Sequence, residues 1–332
     1  MKRRSLIGAV VVMAAVMAGG WLAMPAHAQQ KIVIKGQHTL AESHPYHLGM
    51  AFFAKRIAEK TNGRIQVDLF PNGQLGFERD AIEGFAVGTT QLTVTSTAAL
   101  ASFVQEIQVL DLWFLFRDPG HMYRVLDGPL GDRFKDRVAQ SGKGMRVLSW
   151  WDGGIRDIYT NKKPVRSLED LKGMKIRTFE NPIYVESLRA LGALATPMAF
   201  GEVYSALQQG VIDGAEGASL TYHSVKHHEP APYLSLTHHT YGASVFMISE
   251  RLWGSLPADL QRAAQEVAYE ARDFQRKEFN RLQAEVLDIL KGKGVTIVTP
   301  PQEPFRQAIL STYPKFEKVV SKEAIEQIRS TR

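Results

Sequence analysis

Apolar and polar positions divide the chain into short strand-like and longer helix-like stretches. Ile32, Val33 and Ile34 form the brief apolar run of a buried strand, and Leu48, Ala51, Phe52 and Ile57 then recur at helical spacing until Asn62-Gly63 stops them. Ile65, Val67 and Leu69 alternate as a strand with one buried face. Pro71-Asn72-Gly73 turns the chain, residues 77–87 return to the helical period, and residues 92–95 give another short strand. Strands separated by helices predict a mostly parallel sheet with helices on both faces, an α/β fold.

The same alternation continues downstream. Residues 145–151 read as a strand, Asp152-Gly153-Gly154 as a flexible crossing, and Arg156 follows directly. From Met174 to Phe179 apolar and charged positions alternate, after which Asn181 suits a helix N-cap and Pro182 a first helical position, so a strand turns straight into a helix through Tyr184, Leu188 and Leu191. Arg177 therefore falls at a strand's carboxyl end. Open α/β sheets bind ligands there, and a guanidinium fork matches a carboxylate; alone, the position reads as readily as a surface ion pair. Residues 202–209 form a helix, Val211 and Ile212 open a strand, and residues 213–217 close it with a loop that brings Glu216 and Gly217 toward the two arginines. Trp113, Phe114 and Phe116 predict core packing. Residues 257–290 hold the longest periodic segment; a helix of about 34 residues is roughly 50 Å long, so it either breaks near Phe279 or runs across two domains as a spine. A strand over 295–298 and a helix over 305–320 finish the chain.

At the amino end, Lys2, Arg3 and Arg4 precede an apolar run over 6–24, and Ala26-His27-Ala28 supplies the small residues of a cleavage site. This predicts export to the periplasm by a signal peptide spanning residues 1–28; Gly19, Gly20 and Pro25 weigh against a membrane anchor. Of 332 residues, 304 then remain, more than one core usually organises. Forty basic against 34 acidic residues give +6, and without the three leader cations the balance is 37 against 34, or +3. With no basic run outside the leader, nucleic acid is not an expected partner. The chain has no cysteine, which excludes disulfides and thiolate chemistry. His227-His228 and His238-His239 are adjacent pairs whose side chains diverge, so no metal site is expected. Glu180, Glu202 and Glu216 lack an evident partner acid or nucleophile, and no phosphate or dinucleotide loop occurs, so neither catalysis nor a cofactor is expected.

Several stretches in order resemble one family. They are Phe53-Ala54-Lys55, Pro71-Asn72-Gly73-Gln74-Leu75-Gly76, Leu171-Lys172-Gly173-Met174-Lys175-Ile176-Arg177, Thr196-Pro197-Met198-Ala199-Phe200 with Glu202-Val203-Tyr204, and Gln208-Gln209-Gly210-Val211-Ile212-Asp213-Gly214. Together they are similar to the dicarboxylate-binding (DctP-type) solute-binding subunits of tripartite ATP-independent periplasmic (TRAP) transporters. The resemblance implies a two-domain periplasmic binding protein fold with central mixed sheets, a hinge and a long spine helix. One domain would span residues 29–153 plus 243–280, the other 154–242 plus 281–332. It further implies a monomer that catches a small carboxylate between the domains, a hydroxy or keto acid or a C4-dicarboxylate, and passes it to membrane permease subunits; the alternatives are a subunit of a periplasmic sensor system and, behind it, a periplasmic enzyme acting on carboxylic acids.

In that resemblance Arg177 is the signature arginine for the ligand carboxylate, Arg156 a second arginine near it, and Phe200 the aromatic residue that packs on the ligand. Gly217 departs from the pattern, standing where many members carry an asparagine, and Trp151 or Tyr222 would substitute. Ser96 stands where sialic-acid binders carry a glutamate, which argues against that ligand. Thr95 and Ser96 at a strand end, Glu216 beside Gly217, and His38 and Glu42 in the polar loop over 36–45 complete the expected ligand-binding set.

Overall fold

Nine strands carry the fold of the described residues: β1 (Ile32–Gln37), β2 (Ile65–Phe70), β3 (Leu92–Ser96), β4 (Met145–Thr160), β5 (Lys175–Thr178), β6 (Leu194–Pro197), β7 (Gly214–Ala218), β8 (Tyr233–Ser249) and β9 (Thr296–Val298). The structure is a computed structural model and describes residues 31–317 and 319–332; the leader expected over residues 1–28 lies outside the described residues. The strands form a single sheet in the order β2-β1-β3-β8-β4-β7-β5-β6, with β9 beside β8. Pairing is parallel at both ends, as the alternation of strands and helices predicts. The centre differs, because β8 runs antiparallel to both β3 and β4, and β4 antiparallel to β7. The sheet is thus mixed. Strand β8 left no signal because most of its 17 residues are buried and the rest half-buried, so it has no exposed face to alternate with.

Three other boundaries depart from the sequence reading. Asp152-Gly153-Gly154 is not a free crossing but an irregularity within the 16-residue β4, where the register against β8 shifts. Gly154 has φ +91°, and a Cβ there would lie 2.6 Å from the Phe279 ring and 2.7 Å from the Ala218 methyl, so both backbone and space require glycine. The residues expected to form a loop over 213–217 instead supply β7. At the carboxyl end three helices, Gln302–Leu310, Tyr313–Phe316 and Lys322–Ser330, replace the one expected over 305–320. Pro314 lacks the N–H a continuing helix would need, and the Ser321 hydroxyl accepts from the Ala324 amide to start the last helix.

The long helix, Ala258–Gly292, is unbroken over 35 residues. Leu260, Ala264, Val267 and Ala271 pack into the apolar cluster around Ile34, Phe53 and Phe246, whereas Phe279, Val286 and Leu290 pack into a separate cluster with Val203, Tyr222 and Leu234. One helix therefore serves both halves of the sheet, which settles the alternative in favour of a spine. The polar interval that suggested a break is bonded to β4: Gln275 accepts from the Asp152 amide at 3.0 Å and donates to the Asp152 carbonyl at 2.8 Å, and Arg276 donates to the Trp150 carbonyl. Trp113 and Phe116 are buried in the largest core cluster, as expected. Among the described residues no helix is long and apolar enough to cross a membrane.

Candidate functional site

The site is built where β4, β7 and β5 lie side by side, with Arg156 opposite Ala218 and Arg177 opposite Ala215. Local sequence sets Arg177: β5 ends at Thr178, the Asn181 side chain accepts from the Ile183 amide, and Pro182 opens the helix Pro182–Ala190. The guanidinium is 2% exposed and donates twice to the Met198 carbonyl, at 3.1 and 2.8 Å. It lies 5.0 Å from the centre of the Phe179 ring and 5.7 Å from that of Phe200. Burial pulls its affinity for a proton below that of an ordinary arginine, against the attraction of Glu216. Among the described residues, no carboxylate stands within ion-pair distance of Arg177.

Arg156 is different. Its Nε donates to Glu216 at 2.6 Å and an Nη to the Glu216 carbonyl at 3.1 Å, while the rings of Phe179 and Tyr184 lie against it at 4.8 and 5.7 Å. Burial works against the charge on Arg156, but Glu216 holds it above the usual arginine range. Burial would raise the Glu216 carboxyl, yet Arg156 overrides it and keeps the pKa at about 2. Glu216 also accepts from the Thr178 hydroxyl at 3.1 Å, so it acts as the fixed counter-ion that positions Arg156.

Two adjoining chambers open in front of these arginines. One is lined by Arg177 together with Phe77, Ala98, Ser102 and Met198; the other by Arg156 together with Ser96, Tyr159, Gly217 and Thr221. Glu78, Phe179 and Phe200 line both and form the wall between them. The atoms nearest a Cβ on Gly217 would be in the Tyr159 ring at 3.5 Å, the Tyr159 hydroxyl at 3.8 Å and Arg156 at 3.8 Å, all ordinary contacts. Gly217 thus leaves a recess where a side chain would fit. Residues from the first half of the chain close over the second: Ser102 donates to the Glu180 carbonyl, Arg79 pairs with Glu180, and Asn181 donates to Asp111.

Of the expected set, Arg177, Arg156, Phe200, Gly217, Glu216 and Ser96 come together here. Ser96 is already engaged, its amide and hydroxyl both donating to Glu78 at 2.6 and 3.0 Å. Tyr222 lines the second chamber, but its hydroxyl donates to the Ala231 carbonyl. Four residues are not brought in. Trp151 is fully buried, its ring on Phe246 and its indole N–H on Ser149. Thr95 faces inward at 0% exposure, His38 is buried against His47, and Glu42 is exposed. The residues that sequence reasoning missed are Glu78, Phe179, Tyr159 and Thr221. Glu78 opens the helix Glu78–Val87, where a carboxylate is ordinary, so only its pairing with Ser96 across 18 residues reveals a role. Among the described residues, no cluster of three or more histidine, aspartate or glutamate side chains could hold a metal ion.

Comparison with known proteins places this chain in a family. Residues 36–319 match the family model described as bacterial extracellular solute-binding protein, family 7. A solute-binding protein of Verminephrobacter eiseniae is 37% identical over 86% of both chains. Two solved structures are similar: a TRAP periplasmic solute-binding protein from Polaromonas sp. JS666 bound to D-erythronate (33% identity, TM-score 0.88, covering 91% of this chain and 99% of the other), and one from Sulfurospirillum deleyianum with bound succinate (33% identity, TM-score 0.85, covering 91% and 100%). With a family model that spans most of the chain and a relative 37% identical over 86% of it, the chain belongs to the family 7 bacterial extracellular solute-binding proteins.

Proposed function

We propose that the protein captures a small organic acid in the cleft between the two halves of its sheet and delivers it to the permease subunits of a TRAP transporter in the periplasm. The single observation that carries this reading is Arg177: a buried, permanently charged group with two donors on a carbonyl and no carboxylate partner among the described residues. Removing an unpaired cation from water is costly, and an incoming carboxylate offsets that cost. Phe179 and Phe200 shield the meeting point, which strengthens the pair by lowering the local dielectric. Relatives captured with D-erythronate and with succinate support an acid as ligand. The cleft carboxylates are committed, Glu216 to Arg156 and Glu78 to Ser96, which suits binding rather than catalysis. The irregularity in β4, held by Gln275 of the spine helix, is the place where two domains would hinge.

A thermal-shift screen tests the reading by pairing organic acids with their neutral amides. An acid at a hundred times its Kd adds about 2.7 kcal/mol, a rise of roughly 5 °C in Tm, while its amide leaves the melt unchanged. Amides that stabilise as well as their acids would refute recognition of the carboxylate.

A further inference from the structure

Counting charges around the two chambers narrows the ligand. Three cations line them, Arg79, Arg156 and Arg177, against three carboxylates, Glu78, Glu180 and Glu216. Arg79 is exposed at the mouth and already pairs with Glu83 at 3.0 Å and Glu180 at 3.4 Å. Arg156 is neutralised by Glu216. The nearby imidazoles of His44, His227 and His239 are kept from protonating by burial and add no charge. Among the described residues that line the chambers only Arg177 is left for a ligand, and Glu78 lines the same chamber. With Glu78 ionised, even one ligand carboxylate puts the cleft one negative charge in excess. With Glu78 protonated, one carboxylate brings the cleft to neutrality. A second carboxylate finds no cation in either state.

The remaining surface has the opposite preference. Beyond Arg156 the second chamber presents the hydroxyl-bearing side chains of Thr39, Tyr46, Ser96, Tyr159, Thr221 and Tyr222. The protons of Ser96 and Tyr222 are committed to Glu78 and to the Ala231 carbonyl, so these oxygens offer lone pairs. Lone pairs accept from a ligand hydroxyl and repel a carboxylate. Glu78 has the same spare capacity, since each of its oxygens takes one bond from Ser96.

Resting on the carboxylate reading above, we infer that the ligand is a monocarboxylate whose other polar groups are hydroxyls, and that Glu78 is the residue that rejects a second carboxylate. The test uses matched acids that differ only in the oxidation of the far end: gluconate against glucarate, and erythronate against meso-tartrate, each measured by calorimetry at neutral pH. The monocarboxylate of at least one pair binds, and its dicarboxylate partner binds at least about tenfold more weakly, as like charges juxtaposed in a buried site require. Glu78→Gln, which keeps an acceptor for the Ser96 amide, narrows that gap by tightening the dicarboxylate, and Glu78→Asp, which keeps the charge, preserves it. A dicarboxylate that binds the unaltered protein as tightly as its partner overturns the inference while leaving the carboxylate reading intact; so does a folded Glu78→Gln protein with an unchanged gap. If neither kind of acid binds while neutral polyols do, the carboxylate reading itself falls, and this inference with it.

Discussion

Replacing Glu216 with alanine isolates the part of the site that the protein supplies to itself. Glu216 is fully buried and its partner Arg156 is 11% exposed in its side chain, so the truncation leaves a cation with neither water nor a counter-ion. Breaking a buried pair in this way costs about 3–5 kcal/mol. The Thr178 hydroxyl loses its acceptor as well, adding about 1 kcal/mol. Against this, Arg156 keeps the Glu216 carbonyl and the faces of Phe179 and Tyr184, which holds the total near the lower end. At about 2 °C per kcal/mol for a chain of this size, a total of about 4 kcal/mol lowers Tm by roughly 8 °C. Urea titration is the assay, with the midpoint moving and the slope unchanged. The pH arm has a definite sign. A carboxyl held at about 2 in the folded state contributes stability that is present above its ordinary value near 4.5 and lost as pH falls through about 2, and the alanine protein lacks that component. Arg156→Met with Glu216→Met recovers most of the loss, because a well-packed apolar pair replaces a buried ionic one at little cost. A loss below about 1 kcal/mol for the single alanine, the size of a surface pair, would refute the claim that Glu216 is a buried counter-ion.

Two further outcomes follow from the same geometry. The His44 imidazole is kept at about 3 by burial and by His38, so the unfolded chain takes up its proton between pH 6.5 and about 3 and stability falls with pH across that window; His44→Asn, which still caps the helix Pro45–Lys60 in place of the bond from the Tyr46 amide, flattens the slope by up to about 1.4 kcal/mol per pH unit in acid melts, and an unaltered slope would contradict it. Gly217→Asn folds with a stability change below about 1 kcal/mol, since its Cβ meets nothing closer than 3.5 Å, but weakens the best acid about tenfold by filling the recess beside Arg156; calorimetry with unchanged affinity would show that the ligand does not use the recess.

Much of the site was legible because its signals are local. Alternation over 174–179, an asparagine cap and a proline at the next position fix Arg177 at a strand end without reference to any distant residue. The parallel ends of the sheet and the helical period of the long segment were readable for the same reason, but that the helix is unbroken was not, because the polar interval is settled only by its bonds to β4. What escaped was set by tertiary contact. Strand β8 is buried on both faces and shows no period, so the antiparallel centre of the sheet stayed hidden. Trp151 carries an indole that could face a ligand or a core, and only the Phe246 ring beneath it decides. Glu78 looks like any acidic residue in a helix's first turn until folding sets it against Ser96 and into the lining of both arginine chambers.

The central claim is that Arg177 holds the ligand carboxylate, and calorimetry on Arg177→Ala and Arg177→Lys with the strongest acid from the screen tests it most directly. Loss of a buried charge partner is worth about 2–5 kcal/mol, so alanine weakens binding by about 25-fold or more, and lysine, which keeps the charge but not the fork, falls between alanine and the unaltered protein. The unliganded alanine protein melts close to the unaltered one, because losing the two bonds to the Met198 carbonyl is offset by removing a desolvated cation. Undiminished affinity in a folded Arg177→Ala protein would contradict the account.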